Sequence, residues 1–155
     1  MNVRDFCGSL KVKGVVCHKV TLKLWQWSQG DINDRNRRMI SQEDGERFTR
    51  LLTENMAKAT RLSVLVPPHL YSVIYSRNFV PIKKPADADR RRNHSAIVIE
   101  TGERVQLAEG LVKEEKVNII SLEDFFKREA VKWNATIYEY PPEIIRKLLA
   151  EYWIV

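Results

Sequence analysis

Cysteine is nearly absent from this chain: Cys7 and Cys17 are the only two among 155 residues. Two thiols without C-x-x-C spacing exclude the disulfide framework on which small secreted domains rely. Histidine is almost as sparse, and His18, His69 and His94 stand too far apart to give a zinc-ligand spacing. The six glycines are scattered and form neither G-x-x-x-x-G-K nor G-x-G-x-x-G, which removes the familiar phosphate-cradling loops. No G-x-S-x-G elbow occurs, and neither cysteine is expected to pair with a histidine. Cys17 lies in an apolar run, where a buried structural thiol is expected. His18 follows it directly and on a strand would point to the opposite face. No apolar run approaches the roughly 20 residues that span a bilayer. The start, Met1-Asn2-Val3-Arg4-Asp5, lacks the basic-then-apolar order of a secretory signal. The expectation is a cytoplasmic protein with no membrane partner.

What is present is an ordinary globular balance, 44% hydrophobic and 30% charged, at a length that suits one domain with one core. The formal net charge is +6 and the sequence pI about 9.4. A basic domain of this kind is suited to a polyanion, with nucleic acid the commonest, and DNA is expected ahead of RNA.

Along the chain, residues 10–27 alternate well enough to predict two strands, with Val20, Leu22 and Leu24 on one face. Ser41, followed by Glu43 and Asp44, predicts the capped start of an amphipathic helix over 42–60, its apolar stripe carried by Phe48, Leu51, Leu52 and Met56. Leu62 to Val66 predicts a short buried strand, and Pro67-Pro68 the start of a helix over 68–76. Val66-Pro67-Pro68 and Tyr140-Pro141-Pro142 line up without gaps, either as a pseudo-repeat or as two βα units that start their helices alike. Residues 96–99 and 104–107 predict a hairpin, 117–120 a strand, Ser121 a helix cap and 133–138 a further strand. The fold class expected is α+β: a mixed β-sheet of about six short strands with about four helices packed on it.

The segment from Arg77 to His94 has little apolar periodicity after Ile82 and predicts a long loop. Its residue types fit phosphodiester chemistry. Lys83, Lys84, Arg90, Arg91 and Arg92, with Arg77, would hold the backbone phosphates. Asp87 and Asp89, with Glu100, would hold Mg²⁺, which polarises the phosphate and lowers the pKa of the attacking water. His94 would act as the base. Ala86 stands where a third carboxylate would complete an acidic trio, as a carboxylate-to-alanine substitution would leave it.

Pro85-Ala86-Asp87 and Glu114-Glu115-Lys116 follow the order of the PD-(D/E)xK nucleases, but the expected loop and turn positions do not match that family's strands. In size, basic charge and βα order over the whole chain, the sequence resembles the small basic α/β proteins of archaeal viruses. These include a filamentous-virus nuclease acting on linear duplex DNA. The resemblance implies a viral nuclease working in the host cytoplasm, and, having no motif behind it, transfers no residue roles. The leading expectation is thus a nucleic-acid-binding protein with metal-dependent nuclease activity on linear double-stranded DNA. The alternatives are a non-catalytic DNA- or RNA-binding regulator and an interaction module for an acidic protein partner. Oligomeric state is not legible.

Overall fold

A computed structural model describes residues 2–10, 17–30, 41–78, 93–101, 104–111 and 116–152. Five α-helices and six strands follow in the order α1 (Val3–Ser9), α2 (Cys17–Ser28), α3 (Gln42–Glu54), β1 (Thr60–Arg61), β2 (Val73–Arg77), β3 (Asn93–Thr101), β4 (Arg104–Gly110), β5 (Val117–Ser121), α4 (Leu122–Phe126), β6 (Thr136–Tyr140) and α5 (Pro142–Tyr152). A π-helical turn, Lys127–Lys132, continues α4. The α+β class is as expected.

Helix starts follow their cap chemistry. Ser41 Oγ accepts the Asp44 N–H at 3.1 Å, and Ser121 Oγ accepts the Asp124 N–H at 3.1 Å, each with acidic residues in the first turn against the positive helix end. Pro142 opens α5, where its missing N–H leaves no bond unmade. The hairpin of β3 and β4 forms as its sequence predicts.

The strands lie in the order β1-β6-β2-β3-β4-β5. Every pairing among the described strands is antiparallel, so the parallel component of the expected mixed sheet is absent there. Central β3 alternates its side chains between two apolar layers. Ile97 and Ile99 meet α1, α2, α3 and α5 on the first face, in a core with Phe48, Leu52 and Ile145. Ala96 and Val98 face the second layer, where Phe125 of α4 packs with Leu107 and Ile137. Tyr140 donates its hydroxyl hydrogen to the Leu52 carbonyl and so ties α3 to the sheet.

Three local expectations give way. Residues 17–28 form a helix rather than a strand, buried on nearly every side by eight residues from Cys17 to Trp25. Because the buried set includes the polar His18, Thr21 and Lys23, apolar residues alone trace no 3.6-residue stripe, and the alternation of Val20, Leu22 and Leu24 is incidental. Residues 62–66 are not a strand: Val64, Leu65 and Val66 are exposed in a turn closed by Val66 N–H to Ser63 O at 3.0 Å. Pro67-Pro68 starts no helix, because the chain turns at Tyr71 (φ 60°) and enters β2 instead. The 66–79 and 140–153 segments are therefore neither a repeat nor two like βα units in what is described.

Candidate active site

Four strands contribute a polar row to the second face of the sheet. Register sets Ser76 opposite His94 and Glu109 opposite Asn118. Since Ile97 pairs with Ala108, His94 and Glu109 are diagonal neighbours on that face, within side-chain reach. His94 Nε2 lies 2.6 Å from Glu109 Oε1, and both groups are buried. Arg128, from the π-helical turn, grips the same carboxylate at two points, Nη1 to Oε2 at 2.7 Å and Nη2 to Oε1 at 2.5 Å. Asn118 Nδ2 adds a bond to Oε2 at 2.8 Å. Burial alone would raise the Glu109 pKa, but the bonds from Arg128 and His94 and their charges overcome it and bring it down to about 2.

An ionised carboxylate only accepts hydrogen bonds, so His94 Nε2 must carry a proton. Nδ1 is then the ring atom that can exchange a proton with another group. His94 also stacks on Phe125 with centroids 6.0 Å apart, which fixes the ring plane.

That other group arrives from the first face. Cys17 is the first residue of α2 and 7% exposed, with Sγ 3.9 Å from the Asn93 carbonyl at the start of β3. The helix comes this close because β4 ends in glycine. A Cβ on Gly110 would lie 2.7 Å from Val20 Cγ2 and 3.5 Å from Cys17 Cα. The thiol interacts with both His18 and His94. Burial pushes its pKa up, but the hydrogen bonds and charges of the two imidazoles prevail and hold it well below the usual thiol range. Its place at a helix N-terminus acts in the same direction. Burial likewise pulls the His94 pKa down, but the Cys17 and Glu109 interactions outweigh it and raise it to about 9. The two shifts run in the direction that favours a thiolate–imidazolium pair of Cys17 and His94.

His18 is itself positioned. Ser95 Oγ donates to Thr21 Oγ1 at 2.9 Å and therefore accepts from His18 Nδ1, also 2.9 Å away. Cys7 is the contrasting case: burial pushes its pKa up to about 11, as for a core thiol.

The residues expected to form a nuclease site fare differently. Lys83, Lys84, Ala86, Asp87, Asp89, Arg90, Arg91 and Arg92 lie outside the described residues. Arg77 ends β2, half-buried, its Nη1 3.9 Å from Met56 Sδ. Glu100 is exposed on β3, six residues from His94 and so about 20 Å away along the strand. His94 is not beside it but committed to Glu109 and Cys17. Among the described residues no group of three or more His, Cys, Asp or Glu could hold a metal ion. Glu109 and Arg128 go unread in the sequence, while Cys17 reads as a plain buried thiol and His18 as facing away from it; the helix that replaces the expected strand brings both to the end of β3. The signal that could have found them is a cysteine opening a helix, with a histidine and an acid on successive strands of a hairpin. No protein-family model, curated protein or solved structure matches this chain.

Proposed function

We propose that the protein is a thiol-dependent acyl-transfer enzyme, a hydrolase of esters or amides, with Cys17 as nucleophile, His94 as acid and base, and Glu109 orienting His94. The observation that carries this is the series Cys17–His94–Glu109: a thiol with a lowered pKa, an imidazole, and an ionised carboxylate on the imidazole's far nitrogen. A nucleophile, a base and a group that orients the base constitute a triad wherever they occur, whatever the fold.

The Cys17 thiolate attacks the substrate carbonyl carbon, and the carbonyl π electrons move to oxygen. N–H groups of the first turn of α2 would receive that oxyanion. The tetrahedral intermediate collapses, the bond to the leaving amine or alcohol breaks, and His94 Nδ1 delivers its proton to the leaving atom. Neutral His94 then takes a proton from water, which attacks the thioester. Carboxylic acid leaves, and the thiolate–imidazolium pair is restored. Throughout, Glu109 stays ionised and holds Nε2–H, which keeps Nδ1 available.

The test is p-nitrophenyl acetate with intact-mass detection of an acetyl group. The expected result is a burst of nitrophenolate and a mass gain on Cys17, both lost in Cys17→Ala and strongly reduced in His94→Gln. Acetylation that persists in Cys17→Ala would overturn the assignment.

Nucleic-acid contact is a second proposal, supported by the net charge of +6 and the basic run from Lys83 to Arg92. It predicts salt-dependent binding of linear duplex DNA that weakens when Arg90, Arg91 and Arg92 become Gln. Mg²⁺-dependent cleavage lost in Asp87→Asn/Asp89→Asn would extend it to a nuclease, and affinity independent of salt would refute it.

A further inference from the structure

Arg128 has no direct contact with the thiol, yet it occupies a singular place in the cluster. It reaches Glu109 with both terminal nitrogens, while its Nε lies 3.1 Å from Glu129 Oε2. Glu129 is buried and accepts the Ser76 hydroxyl at 2.8 Å, so the guanidinium is held from both ends. It also lies over Phe125, 5.3 Å from the ring centroid, on the same aromatic ring that stacks with His94. Both residues come from the π-helical turn, and both reach polar groups on the same face of the sheet. π-helical turns recur at functional sites because they aim side chains in this way.

We infer that Arg128 is a positioning residue that, through its two-point hold on Glu109, sets both the orientation of His94 and the positive field in which Cys17 ionises. The inference rests on the thiol assignment above. The charged and titratable groups facing this centre in the described structure are Glu109 of β4, His94 of β3, Glu129 of the π-helical turn, and Cys17 and His18 of α2. Ser76 and Asn118 are its neutral partners. Two carboxylates and one guanidinium form the fixed part, so loss of Arg128 removes the cation that both carboxylates share. A cation removed from the cluster raises the pKa of every neighbour, and an anion removed lowers it.

The test is the pH dependence of Cys17 carbamidomethylation by iodoacetamide, read by peptide mass spectrometry in the full chain, with the melting temperature measured in parallel. Wild type is expected to react well below the pH at which a free thiol does. Arg128→Met shifts the alkylation midpoint upward by about one unit, and Glu129→Gln shifts it downward. Arg128→Lys keeps the charge and returns the midpoint towards wild type, and it remains informative if the Met variant does not fold. A purely structural role would lower the melting temperature of these variants and leave the midpoint in place, which would overturn the inference while the thiol assignment stands. An ordinary thiol midpoint in wild type would overturn the thiol assignment and the inference with it.

Discussion

Gly110→Ala is the most informative single perturbation of the scaffold, because one methyl group there separates the two elements that bring Cys17 to His94. The new Cβ would meet Val20 Cγ2 at 2.7 Å and Val20 Cβ at 3.1 Å, well inside van der Waals contact. Val20 is β-branched and held in one rotamer by its helix, so it cannot swing away. The N-terminal turn of α2 must instead lift by about 1 Å to restore the roughly 3.5–4.0 Å optimum between carbons. Overpacking of this kind costs about 1–3 kcal/mol, and for a chain of this size lowers Tm by about 2–4 °C per kcal/mol. The assay is urea unfolding of Gly110→Ala, Val20→Ala and the double variant. Val20→Ala alone loses apolar packing, but in the Gly110→Ala background it removes the clashing atom, so the two effects are expected to be non-additive by more than about 1 kcal/mol. The same clash displaces Cys17 from His94, so Gly110→Ala slows Cys17 alkylation at neutral pH. Wild-type stability and additive effects would refute the close approach of α2 to β4.

Stability should peak between about pH 6.5 and 8.5, where the thiolate–imidazolium pair and the unfolded thiol plus imidazole each bind one proton. Below about pH 6.5 the unfolded chain binds the extra proton, so stabilisation from the depressed Cys17 fades with acid; the Glu109 contribution, complete above about pH 4.3, follows as pH falls towards its folded value of about 2. Stabilisation from His94, complete below about pH 6.5, is lost as pH rises through its folded value of about 9, with urea midpoints at several pH values as the check. Glu109→Ala leaves the half-buried Arg128 without its main partner and the buried His94 without its carboxylate, and should cost about 3–5 kcal/mol in urea unfolding. Leu65→Ser, at a side chain 91% exposed, should change stability by less than about 0.5 kcal/mol.

The elements legible in the sequence were those whose local chemistry agrees with their tertiary role. Ser41 and Ser121 sit where a hydroxyl must meet a free N–H, and α3 shows its stripe because only one side of it is buried. The strands β3 and β4 carry apolar residues dense enough to read as a buried hairpin. By contrast, α2 was opaque because it is enclosed on nearly all sides, and burial rather than periodicity placed its apolar residues. Pro67-Pro68 and Pro141-Pro142 are alike in sequence, yet after the first pair Val73, Ile74 and Tyr75 are buried on both faces of a strand, whereas after the second Ile145 and Leu148 share one helix face against the core. The site was hidden by the same misreading. With Cys17 on a strand, His18 points away; on the first turn of a helix, both reach the end of β3. His94 was read as a loop residue serving Asp87 and Asp89, whereas Ser95 to Ile99 carry it into the sheet, where strand pairing sets its partner. Contacts between distant segments leave no mark in local spacing, and Glu109 and Arg128 meet only through side chains brought together by the fold.

The central claim is that Cys17 is ionised by His94, and the direct measurement is the rate of iodoacetamide modification of Cys17 and Cys7 in one sample between pH 5 and 10. The account predicts that Cys17 is modified at pH 6, that Cys7 responds only near its raised pKa of about 11, and that His94→Gln moves Cys17 towards ordinary thiol behaviour. A Cys17 that stays unmodified at pH 6, or whose profile is unchanged in His94→Gln, would contradict it.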